Sequence, residues 1–329
     1  MDSAGVDVGA SQLQVTLCRE GRLSRRVFSN TPCGRKALGA WLSRAGTTTR
    51  VCLEATGSYG LDLALLLSGL GSIQVLVANP RAVRQFAAAL MQRNKTDVID
   101  ADIVQQFAAR MPFQPWSRPS QSALQLRTIG RRIAALRRIC ACEKNRRHAA
   151  GLTQYTPPSV TRSINRIIRT LEREICSLLE QALSLIRSES SLQARYQLAL
   201  TAKGIGPLSA VRLLAELAYL PSDMDPRQWV AHAGLAPTFH RSGSSVEKKP
   251  RVSRQSNRFL RSALFMPALA ARRHDPALRA FADHLIRAGK TPLQALVAVM
   301  RKLLIGLHAA FRRQEPFRSE KLFPAFQSS

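Results

Sequence analysis

Acidic residues are scarce in this chain of 329 residues: 21 Asp and Glu stand against 49 Lys and Arg, which gives a net charge of +28. A pI near 11.4 usually indicates a polyanionic partner, DNA or RNA, bound through phosphate contacts. A ribosomal-type binding protein or a protein of membrane surfaces would be equally basic. The charge therefore predicts the class of partner and leaves the activity open.

Other features are also absent from the sequence. The six cysteines form no C-x-x-C pair and no histidine stands at zinc-ligand spacing, which argues against a zinc site and favours free thiols in a reducing cytosol. There is no apolar run of about 18 residues and no signal peptide, so we expect a cytoplasmic protein with no membrane partner. The hydrophobic share of 45% excludes a disordered tail.

The positive charge is concentrated in the later two thirds of the chain, which has room for two or three domains. Residues 1–111 hold 13 basic and 8 acidic residues, whereas the remainder holds 36 and 13. We therefore expect the later part to bind nucleic acid and the comparatively acidic first third to have a different task.

The first third alternates between strand and helix patterns. The stretch "GVDVGASQLQVTLCR" predicts one strand, which returns in a hairpin through a turn at Glu20 and Gly21. "TRVCLEATG" and "IQVLVANP" predict two more short strands, and helical patterns lie between and after them. This order predicts an α/β domain with a mixed sheet flanked by helices over residues 1–113, before the proline-rich linker "PFQPWSRPS".

Residues 114–195 are predicted to form this linker and a helical coiled-coil hairpin. Apolar residues at steps of three and four run from Leu126 to Cys140 and again from Ile164 to Leu185, which fits an antiparallel helical pair or a subunit contact. The first helix carries eight basic residues against Glu143 alone. A solvated face is the simpler explanation of such a run, but the imbalance favours a nucleic-acid surface. The predicted contacts there are Arg127, Arg131 and Arg138.

Residues 196–329 are predicted to form an all-α domain. The stretch "TAKGIGPLSAVRLLAEL" has the pattern of a helix-hairpin-helix turn, in which Gly204 and Gly206 let the backbone bend and the next helix offers its amides to a phosphate. An ordinary helix turn fits nearly as well. The later stretch "FHRSGSSVEKKPRVSRQSN" is typical of a flexible basic loop. The predicted nucleic-acid contacts of this domain are Lys203, Arg241, Lys248, Lys249 and Arg254.

Four carboxylates are candidates for a metal site. Asp7 lies in the middle of the first predicted strand and Glu54 ends a buried one, although for either alone a surface-facing acid is the simpler interpretation. Farther along, "TDVIDADIVQQFA" predicts a helix in which Asp97 and Asp100 fall within the apolar arc, whereas Asp102 points away and is solvated. Two core-side acids on a helix, beside two acids on strands, predict Mg²⁺ or Mn²⁺ bound by oxygen ligands.

The order of strand Asp, strand Glu and helix Asp-x-x-Asp resembles that of RNase H-like (RuvC-like) nucleases and Holliday-junction resolvases. More narrowly, "GVDV", "CLEATGSYG", "VANPRAVRQFA" and "NKTDVIDA", followed by "GIGPLSAVRLLAEL", "WVAHAGLAPTFHRSGSSV" and "RFLRSALFMPALAA", resemble the DEDD transposases of the insertion sequence 110 family, which are related to the Piv-type DNA invertases. The resemblance covers nearly the whole chain. Where the family often reads "ISKAG", this chain has "VSRQSN", in which Arg254 keeps the basic character.

The resemblance implies a bacterial, RNA-guided recombinase of an insertion sequence. Its metal-binding tetrad would be Asp7, Glu54, Asp97 and Asp100, and its nucleophile, a serine at the start of an "SGSS"-like motif, would be Ser242. The resemblance also implies a phosphoserine intermediate, strand exchange between donor and target double-stranded DNA, and a noncoding bridge RNA that pairs with both. It further implies a composite active site shared between protomers of a dimer or tetramer, which would be associated with the nucleoid during activity.

The residues alone leave alternatives open. Without the resemblance, Ser244 and Ser245 are as good candidates for the nucleophile as Ser242. A RuvC-like junction resolvase or simple nuclease would use the same acids with metal-activated water and form no covalent link. A basic nucleic-acid-binding scaffold without catalysis would need neither the acids nor the serine.

Overall fold

The computed structural model describes residues 2–54, 57, 59–91, 96–242, 246–252 and 256–323, with the backbone alone at residues 45, 238–242 and 246–252. The chain folds as two compact units, Met1–Arg118 and Pro119–Ser329. The predicted fold class is confirmed, because a mixed sheet with helices forms the first unit and a largely helical region follows.

The first unit is built on a five-stranded sheet. Its strands are β1 (Asp2–Val8), β2 (Gln12–Arg19), β3 (Arg22–Ser29), β4 (Thr49–Glu54) and β5 (Ile73–Ala78). They lie in the order β3-β2-β1-β4-β5, with β2 antiparallel to both of its neighbours and β1, β4 and β5 parallel. The helices are α1 (Pro32–Leu42), α2 (Leu61–Leu67), α3 (Pro80–Ala89) and α4 (Asp97–Arg110).

The segment predicted as one strand is two strands joined by a turn. The amide of Gly9 donates to Gln12 O at 2.9 Å, and β2 then returns antiparallel to β1. The prediction was wrong because the apolar pattern continues on both sides of this turn. The second turn is confirmed: Glu20 and Gly21 have φ of 51° and 79°, the pair of left-handed residues that a tight hairpin needs.

Side-chain alternation divides the core of this unit between the two faces of the sheet. On one face, Ala4 and Val6 pack against α1 and α2. On the other face, Cys52 and Ala78 pack against apolar residues of α3 and α4. The parallel strands are thus covered by helices on both sides, as strands with two apolar faces require.

The second unit is mostly helical. Its helices are α5 (Gln121–Ala150), α6 (Pro158–Arg187), α7 (Ser190–Leu200), α8 (Pro207–Leu217), α9 (Pro226–His232), α10 (Arg258–His274), α11 (Pro276–Arg287) and α12 (Pro292–Arg313). An antiparallel hairpin of β6 (Pro237–Ser242) and β7 (Val246–Val252) lies between α9 and α10. The predicted all-α character therefore holds except for this hairpin.

The helices α5 and α6 form the antiparallel pair that the apolar pattern predicted. Lys144 near the end of α5 lies 2.7 Å from Glu172 in α6, whereas Ser120 at the start of α5 donates to Glu189 beyond the end of α6. The base of the pair shares one hydrophobic core with the later helices, through residues such as Leu126. The three-domain division at residues 113 and 195 stays a prediction.

One helix among the described residues, α12, is long and apolar enough to cross a membrane by length and composition alone. This differs from the expectation that no such run exists. Val299, Leu303 and Leu307 of α12 are fully buried in the core of the second unit. A helix at the centre of a helical core is apolar for that reason.

Candidate active site

Asp7 and Glu54 lie side by side at one end of the sheet. The register of the parallel strands β1 and β4 pairs Val6 with Leu53, so the next residues are the two acids, both half-buried. Asp7 is therefore the last residue but one of β1 and does not lie mid-strand as predicted. Glu54 points to the same face as Cys52, two residues earlier; burial, and then the charge of Glu54, raise the pKa of this thiol to about 12.

The helix α4 crosses this face in contact with the backbone of β1. A Cβ atom at Gly5 would overlap the amide nitrogen of Gln105 and the carbonyl oxygen of Ala101, so the approach requires glycine. Gln105 Nε2 also donates to Ser3 Oγ at 2.7 Å. Later residues of α4 thus lie over earlier residues of β1, and the helix runs antiparallel to the strand. Its first turn lies toward the end of the sheet that holds the two strand acids.

Asp97 and Asp100 occupy this first turn of α4. Thr96 caps the helix by accepting a hydrogen bond from Ile99 N at 3.3 Å. Asp97 is exposed and Asp100 is half-buried, so their predicted placement in the apolar arc is wrong for Asp97. Negative charges at a helix N-terminus also stabilise the helix dipole. The four predicted acids therefore come from the ends of β1, β4 and α4, three elements that meet at one end of the sheet.

The donor set fits a hard divalent cation, because all four groups are carboxylates and Mg²⁺ and Mn²⁺ prefer oxygen ligands. Over the described part of the chain, however, no three His, Cys, Asp or Glu side chains form a group that could hold a metal ion. Residues 55–56, 58 and 92–95, close in sequence to Glu54 and Asp97, lie outside the described residues. Backbone placement and donor chemistry thus fit the predicted tetrad, while its side chains are not gathered to ligating distance.

Asp102 is not the solvated residue that the helical pattern predicted. Its carboxylate accepts from Thr16 Oγ1 at 2.7 Å and from Nε and Nη2 of Arg25 at 3.0 and 2.9 Å. Burial raises the pKa of Asp102, but the hydrogen bonds from Arg25 and Thr16 and the charge of Arg25 outweigh burial and hold this pKa below its ordinary value. Asp102 thus attaches α4 to strands β2 and β3.

Ser242 is the last residue of β6, and the β6–β7 hairpin replaces most of the loop predicted from the sequence. The strands pair from Pro237 with Val252 to Ser242 with Val246. The predicted contacts Arg241, Lys248 and Lys249 lie on these strands, where the backbone alone is described. The predictions for Ser244, Ser245 and Arg254 lie outside the described residues.

A buried carboxylate, Glu216 of α8, lies where this hairpin joins the helices. Glu216 is 2% exposed, and Asn257 Nδ2 donates to its Oε2 at 2.7 Å. Asn257 Oδ1 accepts from Phe259 N and Leu260 N, as the N-cap of α10. The backbone N–H of Asn257 donates to the backbone oxygen of His232 at 2.8 Å. The residues on either side of the hairpin are thus hydrogen-bonded to each other, and Asn257 is also hydrogen-bonded to Glu216.

Arg127 and Arg131 were predicted to contact nucleic acid, but both face Glu216. Arg131 donates through Nε and Nη2 to the two carboxylate oxygens at 2.7 and 3.1 Å, and Arg127 Nε lies 3.5 Å from Oε2. Arg127 also stacks on the Tyr219 ring at 3.6 Å and Arg131 on the Phe259 ring at 4.4 Å. Both guanidinium groups thus make contacts within the protein that join α5 to α8 and α10, and their contact with nucleic acid stays a prediction.

The charges of this cluster determine its protonation. Burial raises the pKa of Glu216, but the hydrogen bonds from Arg131 and Asn257 and the charges of both arginines outweigh burial and keep this pKa below its ordinary value. Burial lowers the pKa of His232; Glu216 raises it and the two arginines lower it again, so that it ends below its ordinary value. At neutral pH we expect an anionic Glu216 beside a neutral His232.

Arg138 and Lys203 are exposed, as contact with nucleic acid requires. Lys203 precedes Gly204, whose φ is 96° and whose Cβ atom would lie 2.6 Å from the amide nitrogen of Ala271. This close approach to α10 accounts for the glycine, which supports an ordinary helix turn at this point.

Two family models match the chain. A DEDD transposase model of insertion sequence 110 elements, described as a transposase, matches residues 4–157. A second model, described as the transposase IS116/IS110/IS902 family, matches residues 196–283. The chain belongs to the insertion sequence 110 family of transposases.

Named relatives agree with this membership. The transposase is 28% identical to the pilin gene-inverting protein of Moraxella bovis over 95% of its own length and 96% of the relative. It is 31% identical to an uncharacterized 43.6 kDa protein of insertion element IS110 of Streptomyces coelicolor, over 49% of the chain and 38% of the relative. It is 27% identical to an uncharacterized 42 kDa protein of insertion element IS900 of Mycobacterium paratuberculosis, over 94% and 95%. The protein is therefore a DNA transposase or recombinase with DNA as its partner.

Two residues of the transposase that the structure brings together are not among those predicted from the sequence. Glu216 is a single acid in the apolar stretch "LLAEL", and a lone acid among buried leucines indicates a paired charge. Asn257 directly precedes the first residue of a helix, which is a typical N-cap position. Both signals were available in the sequence, but neither indicates which residues would pair.

Proposed function

We propose that this transposase is an RNA-guided DNA recombinase that cleaves and exchanges strands through a phosphoserine intermediate at Ser242. Asp7, Glu54, Asp97 and Asp100 would bind Mg²⁺ or Mn²⁺. The observation that carries the proposal is the meeting of β1, β4 and α4 at one end of the sheet, since these are the elements that contain the four acids. The Moraxella bovis relative is named for gene inversion, which is also a DNA rearrangement.

The proposed chemistry assigns each residue a part. Oγ of Ser242 forms a bond to the scissile phosphorus while the bond from phosphorus to the leaving deoxyribose oxygen breaks. The serine proton is released, and the leaving oxygen takes up a proton. Strand exchange reverses these steps with the free hydroxyl end of the other DNA. A divalent cation, when bound, supplies positive charge against the charge that develops on the phosphate. The basic residues of the β6–β7 hairpin, such as Arg241 and Lys248, bind flanking phosphates.

The proposal includes a noncoding bridge RNA that selects donor and target DNA. A net charge of +28 with 6% aromatic residues suits a protein that binds phosphates and leaves sequence recognition to base pairing. The protein would act as a homo-oligomer, a dimer or a tetramer, in the cytoplasm and at the nucleoid. Sequencing of RNA that copurifies with the full chain tests this part. A discrete noncoding species from the flank of the element supports it, and bulk cellular RNA alone contradicts it.

The serine is tested by Ser242→Ala, with Ser244→Ala and Ser245→Ala as matched controls in the same segment. We expect Ser242→Ala alone to lose both strand cleavage and the covalent protein–DNA adduct, which a denaturing gel detects. Normal cleavage by Ser242→Ala, with no adduct in the parent, would mean that water is the nucleophile, as in a resolvase or nuclease. If recombination continues unchanged in Asp97→Ala, the protein would instead be a nucleic-acid-binding scaffold that does not need the acids for catalysis.

A further inference from the structure

A second pair of arginines, Arg212 and Arg137, lies close to the Glu216 cluster. Arg212 is one helical turn before Glu216 on α8, and its Nη2 donates to Ser262 Oγ of α10 at 3.2 Å. The charge of Arg137 on α5 acts on Arg212. No ion pair between described residues joins either of these arginines to an acid. The hydroxyl of Ser262 is the hydrogen-bond acceptor that Arg212 contacts.

The packing of α5 on α8 brings the two arginines near each other. A Cβ atom at Gly130 would overlap that of Ala215, so the helices are in close contact there. Earlier along α5, Arg127 stacks on Tyr219, which follows the C-terminal end of α8. The helices are therefore antiparallel, and Arg137, two turns beyond Gly130, lies toward the Arg212 end of α8.

The two arginine pairs differ in how their charge is neutralised. Arg127 and Arg131 surround the buried anion of Glu216, whereas Arg212 donates to a neutral hydroxyl and Arg137 adds a second positive charge. Burial lowers the pKa of Arg212, and the charge of Arg137 lowers it further. A partly buried cation beside a second cation is costly unless an anion is present. Since no carboxylate among the described side chains forms an ion pair with either arginine, the pair is suited to an anion from another molecule.

The face of α10 that continues from Ser262 is apolar and open to water. Phe265, Met266 and Leu269 follow Ser262 by three, four and seven residues, so they lie on one side of the helix. They are 40%, 55% and 44% exposed, respectively. Exposed aromatic and apolar side chains beside arginines are typical of surfaces on which unpaired bases stack while their phosphates are bound. An acidic protein could also occupy such a face, but a chain with a charge of +28 and a DNA partner favours nucleic acid.

We propose that Arg137, Arg212 and Ser262 bind a backbone phosphate of an unpaired nucleic-acid strand, and that Phe265 and Met266 contact the adjoining base. None of these residues is among the individual nucleic-acid contacts predicted from the sequence, although Arg137 belongs to the basic run of α5. No bond is made or broken at this site, so its test is a binding measurement. The outcome of that test does not depend on Ser242 or on the carboxylates.

The first experiment measures the affinity of the full chain for a short fluorescent single-stranded oligonucleotide and for its duplex at several salt concentrations. Arg212→Met and Arg137→Met should each weaken single-strand binding several-fold and reduce the slope of log affinity against log salt by about 0.7. Phe265→Ala should weaken single-strand binding about tenfold and leave duplex binding unchanged, because bases in a duplex are not free to stack on a side chain.

Matched controls distinguish an effect at this site from the general effect of removing a positive charge or an apolar side chain from the surface. Arg287→Met removes an exposed arginine of α11, and Leu293→Ala removes an exposed apolar residue of α12; both should have little effect. The proposal fails if Arg212→Met and Arg137→Met weaken binding no more than Arg287→Met does. It also fails if Phe265→Ala changes single-strand and duplex affinity equally. If Phe265→Ala dissociates an oligomer in sedimentation but keeps its affinity, the face is a protein interface.

The same experiment with a DNA strand and an RNA strand of equal sequence identifies the source of the phosphate. A preference for one strand that Arg212→Met and Phe265→Ala both reduce assigns the site to that nucleic acid. A measurement of thermal stability tests the site independently of oligonucleotide binding. Inorganic phosphate should raise the thermal midpoint of the parent more than that of Arg212→Met. Without phosphate, Arg212→Met should be at least as stable as the parent; a clearly lower midpoint would mean that groups within the protein already compensate the guanidinium charge, and would contradict the proposal.

Discussion

Asn257 donates a hydrogen bond to the buried carboxylate of Glu216 at 2.7 Å while its own amide oxygen accepts two backbone hydrogen bonds from the first turn of α10. One side chain therefore both satisfies a buried charge and begins a helix. Because the β6–β7 hairpin lies between α9 and Asn257, this contact determines where the chain that carries Ser242 returns to the helical core.

The charge of Glu216 should be important for stability. Glu216→Gln leaves Arg127 and Arg131 without a counter-charge, and we expect the free energy of unfolding to fall by about 3 kcal/mol. Urea unfolding followed by circular dichroism measures this change. Glu174→Gln removes an exposed glutamate of α6 and should change the free energy by no more than about 0.5 kcal/mol. Equal effects from the two substitutions would show that the buried charge is not needed.

The same carboxylate should make stability depend on pH in acid. The folded-state pKa of Glu216 lies below its ordinary value of 4.5. The stabilisation that ionised Glu216 provides is therefore complete above about pH 4.5 and is lost as the pH falls through the folded-state pKa. His232, whose folded pKa lies below 6.5, loses its contribution earlier, as the pH falls below that value. In Glu216→Gln the free energy of unfolding should depend less on pH below about 4.5. An unchanged dependence would contradict the assigned ionisation.

The three aspartates of α4 should behave differently when changed to asparagine. Asp97→Asn and Asp100→Asn should abolish DNA strand cleavage and change stability by no more than about 1 kcal/mol, through the helix dipole. Asp102→Asn should instead lower the thermal midpoint, because it weakens the contacts with Arg25 and Thr16, and should retain cleavage while folded. Cleavage assays on variants with checked circular dichroism decide this. Equal loss of cleavage in all three would mean that Asp102 also has a part in the reaction.

The contact between β1 and α4 should tolerate no side chain at Gly5. Gly5→Ala forces a methyl group into the backbone of α4, and we expect a loss of about 3 kcal/mol or more in the free energy of unfolding. Gly71→Ala is the matched control in the same unit, because a Cβ atom there meets nothing within 4 Å. A Gly5→Ala variant as stable as Gly71→Ala would mean that α4 does not lie against β1 in this way.

The alternation of strand and helix patterns and the turn at Glu20 and Gly21 were sufficient to predict the fold class. The phase of α4 was not predictable from apolar periodicity, because Asp102 and Gln105 are polar residues that face the sheet. Their partners Thr16, Arg25 and Ser3 lie 77 to 102 residues away in sequence. Such pairings depend on the strand register that brings the partners under the helix, and a local pattern contains no information about it.

The second unit shows the same limit for charge patterns. The run of arginines on α5 predicted a single nucleic-acid face, but consecutive turns of a helix meet different neighbours. Arg127 and Arg131 face Glu216, whereas Arg137 and Arg138 are exposed. The composition of the run indicated the class of partner. Which arginines contact the protein and which face solvent depends on the position of α8.

The antiparallel contact of α4 with β1 also bears on the order of folding. Ser3 and Gln105 are 102 residues apart, so the contact that orients the first turn of α4 closes almost the whole of the first unit into a loop. Contacts of such long range form after local ones, because the entropy of loop closure opposes them. A growing polypeptide that ends before α4 contains two of the four predicted acids and none of the helix that orients the others. The ribosome must therefore complete nearly a third of the transposase before this end of the sheet can assemble.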